Sequence, residues 1–148
     1  MLSRYVWILF CLALSLAGPL RAEDSLGSAR EVIARQIMAF SRGDAIGAFA
    51  EAGPDMRNGI ADGTRFLAMA RERYAPLGGV RSFAFGRSKL VGGGEFILQE
   101  VMLASRDGSD WTAIFEIRLL DSGAYKVNEI RLRPNGANRG ICEIGLTA

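Results

Sequence analysis

Gln99, Glu100, Glu116 and Arg118 lie on two neighbouring apolar segments, 95–105 and 110–120, and are the side chains best placed to do chemistry. A carboxylate enclosed by apolar groups resists ionisation, so its pKa rises into the range of a general acid or base. Which carboxylate is enclosed depends on how the two segments pair. Pairing Ser105 with Asp110 sets Glu100 against Phe115, as the one charge on an apolar face. Gln99 then stands opposite Glu116 and beside Arg118 on the other face. A one-residue slip exchanges the faces, so that Gln99, Glu116 and Arg118 line the interior and Glu100 meets solvent. Segment 95–105 is apolar on both sides, with Phe96, Leu98 and Met102 on one and Ile97, Val101 and Leu103 on the other. Its own sequence therefore leaves both registers open. The candidate catalytic residues are Glu100 and Glu116. Gln99, Arg118, Tyr74 and Tyr125 are the candidate ligand-binding residues. The competing reading makes the polar residues ordinary surface or edge groups, and the tyrosines core rings with their hydroxyls at the edge.

Much other chemistry is excluded. The sequence has no histidine, which removes Ser-His-Asp triads, Cys-His dyads and imidazole metal sites. No Asp-x-Asp-x-Asp-Gly calcium loop occurs, and no Gly-x-Ser-x-Gly elbow. Gly92-Gly93-Gly94 lacks the Gly-Lys-Ser and helix of a phosphate loop and reads as a hairpin turn. No metal and no cofactor is expected.

The elements that position these residues follow from periodicity. The chain has 148 residues, 49% of them hydrophobic and 23% charged, which is room for one globular domain. Ser28-x-x-Glu31 has the form of a capping box, and Val32, Ile33, Ile37 and Phe40 recur at helical spacing until Gly43. Asp44 is placed to cap a short second helix over 45–52, which Gly53-Pro54 ends. Asn58-Gly59 and Asp62-Gly63 mark an irregular connection. A third helix is predicted over 64–74 and closed by Ala75-Pro76. Four strands follow at 81–91, 95–105, 110–120 and 124–133, joined by short Gly-containing turns, which is an antiparallel meander. In the last strand the apolar alternation fails at Asn128-Glu129. One inserted residue there, a β-bulge, returns Tyr125, Val127, Ile130 and Leu132 to one face and bends the strand. Trp111, Phe115 and Ile117 are expected to lie under the helices that carry Ile37, Phe40 and Phe66.

The first 22 residues differ from the rest. Arg4, then the uncharged apolar run 5–17, then Pro19 and the small residue Ala22 form the order of a secretory signal peptide. The run is shorter than the about 20 residues of a membrane span. Cleavage is expected after Ala22, with Ala17 as the alternative, and a leader of this kind implies a periplasmic or secreted protein with no membrane span after processing. Loss of Arg4 and Arg21 leaves 16 basic residues against 16 acidic ones, and a neutral chain does not suit nucleic acid. Cys142 is then a lone thiol among apolar neighbours, read as buried. The domain is expected over 25–133, with 134–148 a C-terminal tail.

Three helices followed by a bent four-stranded meander resemble the cystatin-like cone of the SnoaL and nuclear-transport-factor-two-like superfamily. The stretch from Phe40 through Gly43-Asp44-Ala45 to Phe49 and Pro54 is similar to its usual entry. More narrowly, the chain resembles the bacterial proteins grouped as domain of unknown function 4864, in Ala34–Ile37, Arg65–Met69, Tyr74–Pro76, Leu98–Val101, Asp110–Ala113 and Asp121–Val127. The resemblance implies an α+β cone-shaped half-barrel. Its motifs are packing and turn residues and carry no activity. The leading functional expectation is a non-catalytic module that binds a small apolar, acyl-like ligand or a protein. The alternative is an isomerase or lyase using a carboxylate in the cone. The two apolar faces of the second strand further suggest a homodimer through the outer sheet face.

Overall fold

The computed structural model describes residues 18–135, with side chains from Glu23 onward. Helix α1 spans Gly18–Arg42 and buries Val32, Ile33, Ile37 and Phe40. The expected start at Ser28 needs correction, because Ser28 and Glu31 are exposed within this helix and cap nothing. The residues before Ser28 are compatible with a helix, and Pro19 falls in the first turn, where it displaces no intrahelical bond. Gly43, at φ 69°, ends α1. Asp44 then caps α2 (Ala45–Glu51) by accepting from the Gly47 N–H at 2.9 Å. The connection predicted to be irregular contains a single turn, α3 (Pro54–Arg57). Helix α4 (Gly63–Arg73) is capped by Asp62, and a last turn, α5 (Ala75–Gly78), has Pro76 in its first turn. The three predicted helices are thus joined by two four-residue ones.

Strands β1 (Val80–Val91), β2 (Phe96–Ser105), β3 (Asp110–Leu119) and β4 (Tyr125–Pro134) form one open antiparallel sheet in sequence order. The domain is α+β. One sheet face packs on the helices. Ile97, Val101, Leu103, Phe115, Ile117 and Val127 share a single core with Ile33, Ile37, Phe40 and Phe66. Trp111 departs from expectation. It is half-buried beside this core, and its indole N–H donates to Ser109 Oγ at 3.0 Å.

Glu116 pairs with Glu129 and Ile117 with Val127, so Asn128 is the extra residue of a bulge. This is where the broken alternation predicts it, and both Val127 and Ile130 are buried. A second bulge, which the sequence did not signal, lies in β1. Phe85 pairs with Val101 and Ser88 with Gln99, which leaves Gly86 and Arg87 together opposite Glu100.

The β2–β3 register is one residue away from the Ser105–Asp110 pairing. Ala104 pairs with Asp110, Gln99 with Phe115 and Glu100 with Ile114. The hairpin decides this. The Ser105 N–H donates to Ser109 O, which closes a three-residue loop with Gly108 at φ 82°. A turn followed by a left-handed residue is the usual geometry of such loops. Placing Glu100 against Phe115 is therefore overturned. Among the described residues no helix is long and apolar enough to cross a membrane.

Candidate functional site

Gln99 is fully buried, and both ends of its amide are engaged by the protein. Its Nε2 donates to the carbonyls of Gly86, Arg87 and Glu100 at 3.1, 3.2 and 2.8 Å. Its Oε1 accepts from Arg30 Nε at 3.1 Å. The Arg30 guanidinium also lies 5.6 Å from the Phe85 ring centroid. The amide thus fills the β1 bulge and ties α1 to the sheet, because buried carbonyls need donors. A Cβ at Gly86 would stand 2.7 Å from Glu100 Oε2, so a larger residue here would displace the end of that side chain. Gln99, a ligand-binding candidate from sequence, is occupied as a clamp.

Glu100 and Glu116 both lie on the sheet face away from the helices. Glu100 accepts from the Arg87 N–H at 3.2 Å and has the Arg87 guanidinium at 3.5 Å. Glu116 accepts from Asn128 Nδ2 at 2.7 Å, and its other oxygen is 3.5 Å from Arg131. Arg131 also pairs with Glu129 at 3.1 Å. Glu116 and Glu129 are direct cross-strand partners, a repulsive arrangement that a shared arginine relieves. The expected interior grouping of Gln99, Glu116 and Arg118 does not form. Only β2 moves between the two registers, and β3 keeps Ala113, Phe115 and Ile117 inward in both.

Arg118, at the end of β3, reaches a different environment. With Tyr125, Leu90, Leu119, Leu120 and Asp121 it lines a cavity of about 890 Å³, to which Ser25, Pro54 and Glu95 also contribute. The guanidinium sits 3.6 Å from Asp55 and 5.5 Å from the Phe96 ring centroid. This ion pair is long and about two-fifths exposed on the arginine side, so it is weak. The turn Gly92–Gly94 closes one wall, with all three residues at positive φ. The structure therefore brings two of the sequence candidates, Arg118 and Tyr125, to one cavity.

Tyr74 lies elsewhere, at the C-cap of α4, and is 6% exposed. Burial raises its pKa, Arg73 opposes the shift and Glu129 adds to it. Arg30 and Asp55 were not foreseen as partners of candidate residues. Asp55 is positioned by a four-residue helix, too short to leave a periodic signal. Arg30 carried a signal in hindsight, since it lies one turn before Ile33 and Ala34 on the sheet-facing side of α1. Among the described residues no group of three or more His, Cys, Asp or Glu is placed to hold a metal ion.

Residues 23–139 match the model of a family described as a domain of unknown function, DUF4864, and the chain belongs to that family. No curated protein matches the chain.

Proposed function

We propose that this DUF4864 chain is an exported, non-catalytic binding domain that takes a small acyl-like molecule into the cavity between Arg118 and Tyr125. The cavity carries the reading. Its volume of about 890 Å³ suits a small-molecule site, and its lining mixes the apolar Leu90, Leu119 and Leu120 with the charged Glu95, Arg118 and Asp121. Leu90, Leu119 and Leu120 would hold an apolar body, and Arg118 would take an anionic head. Glu95 and Asp121 also line the cavity and would repel a second negative group. A single carboxylate on an apolar chain meets all of these conditions.

Helices followed by an antiparallel meander with a bulge in its last strand support placing the domain among the cystatin-like cones. The order of charge, apolar run and small residue in 1–22 supports export to the periplasm or beyond. That segment lies mostly outside the described residues, as do Cys142 and the tail from 136 onward. Catalysis is the weaker reading because Glu100 and Glu116 lie outside the cavity, each beside an arginine. An isomerase or lyase would need one of them enclosed.

One observation favours a second reading, self-association through the open sheet face. Met102 is 48% exposed there, next to half-buried Leu98 and Ile114. Native mass spectrometry of protein purified from its own cell envelope tests both. The expected result is a chain beginning at Glu23 with a small acidic adduct, and a dimer only if the second reading holds. An intact chain beginning at Met1 with no adduct would overturn export and ligand binding together.

A further inference from the structure

The two edges of the sheet differ. The β4 edge is covered: Ala52 bridges Val127, the Gly53 N–H donates to Val127 O at 2.7 Å, and Lys126 Nζ donates to Ala50 O at 2.7 Å. The β1 edge has no such cover. Among the described residues the backbone of Ser88–Val91 hydrogen-bonds only within the β1–β2 ladder, which runs without a shift from the Ser88–Gln99 pair to Val91–Phe96. Alternate residues of an edge strand turn both N–H and C=O outward, which is a template for a further strand.

The side chains say what that strand is. Leu90 and Val91 are 38% and 39% exposed. From Arg73 to Gly94 the chain carries Arg73, Arg81, Arg87 and Lys89 and no acidic residue. Glu100 on β2 stands 3.5 Å from Arg87, while Lys89 makes no ion pair among the described residues. Beside Lys89 a hollow of about 430 Å³, lined also by Leu98 and Ile114, opens on the sheet face. The same cations exclude a second copy. Antiparallel pairing of two β1 strands about Phe85 sets Arg81 against Lys89, and β1 has no acid to offer in any register. A ladder of N–H and C=O groups is matched by another peptide backbone, not by a phosphate chain or a lipid surface.

We propose that the Ser88–Val91 edge takes up an extended peptide of alternating acidic and apolar residues as a fifth strand. Its backbone continues the β1 ladder. Its carboxylates meet Arg87 and Lys89 on the side of the open face, where Lys89 is paired with Leu98. Its apolar side chains lie against Leu90 on the helix side, where Leu90 is paired with buried Ile97. Leu90 also lines the acyl cavity, and the two surfaces are otherwise separate.

Amide NMR and hydrogen exchange of the full chain with three acetylated and amidated peptides test this: Glu-Leu-Glu-Val-Glu, its form N-methylated at every residue, and Lys-Leu-Lys-Val-Lys. The first is expected to give saturable shifts at Ser88–Val91 and slower exchange at alternate amides there, while Leu120 and Tyr125 stay unmoved. The N-methylated form keeps the charge but cannot donate to the ladder, and the lysine peptide repels Lys89, so neither is expected to bind. Lys89→Glu changes an exposed side chain and is expected to weaken binding of the first peptide about tenfold. Absence of saturable shifts, equal binding of either control peptide, or unchanged affinity in Lys89→Glu would overturn the assignment.

Discussion

Ile114 and Phe115 are neighbours on β3, yet Phe115 is sealed under the helices while Ile114 lies on the open face beside Glu100 and Glu116. The covered face of β2 and β3 is apolar except for Gln99 and, at the end of β2, Ser105, and both the nitrogen and the oxygen of the Gln99 amide are engaged by the chain. The open face carries paired charges, with Arg87 on Glu100 and Arg131 shared by Glu116 and Glu129. One face is therefore specified by packing and by complete satisfaction of a buried polar group. The other is specified by charge balance in water, where each pair contributes little. Neither face leaves a group free for a ligand. The candidate binding groups lie instead at the end of the sheet, where Arg118 and Tyr125 line one cavity.

The contrast is sharpest in a pair of adjacent substitutions. Phe115→Ala is expected to destabilise by about 3–5 kcal/mol, because the ring is fully buried. Ile114→Ala on the open face is expected to stay below about 1 kcal/mol. Urea unfolding of both variants gives the comparison, and similar losses would mean that the open face is covered in solution.

Gln99→Leu comes next. It leaves Arg30 and the carbonyls of Gly86 and Arg87 without their partner inside the β1 bulge. A loss of about 1–3 kcal/mol is expected, against less than about 1 kcal/mol for Glu100→Gln in its solvent-facing pair. The same unfolding measurement applies, and a larger loss from Glu100→Gln would reverse the assignment of the two residues.

The smallest effect is visible only in alkali. Burial raises the Tyr74 pKa, so the folded chain holds the phenol proton after the unfolded chain has begun to release it near pH 10. The corresponding stability is complete below that pH and falls as pH rises towards the higher folded-state value. Thermal unfolding between about pH 9 and pH 11 should therefore decline less steeply in Tyr74→Phe than in the parent chain.

Where a residue type settles its own geometry, the sequence was legible. Asp44 caps α2, and Gly43 ends α1 at positive φ. The lost alternation at Asn128-Glu129 locates the β4 bulge to the residue. What stayed hidden depends on relations between segments. The apparent capping box at Ser28 carries no information that a helix had begun earlier. The β2 register was open because both faces of that strand are apolar, and a three-residue loop decided it rather than any strand residue. Gly86-Arg87 gave no warning of the β1 bulge, because its cause is the Gln99 side chain on the next strand. For the same reason the polar set of the site was only partly foreseen. Arg118 and Tyr125 do share a cavity, whereas Gln99 and Glu116 stand on opposite faces of the sheet, because a shift of β2 leaves β3 facing as before.

Titration of the chain with sodium octanoate, followed by amide NMR, tests most directly whether the cavity at Arg118 and Tyr125 is a binding site. Saturable shifts are expected at Arg118, Leu120 and Tyr125, with affinity falling about tenfold in Arg118→Gln as a charge-assisted contact is lost. No saturable shift at these residues, or octanoate binding that Arg118→Gln leaves unchanged, would contradict it.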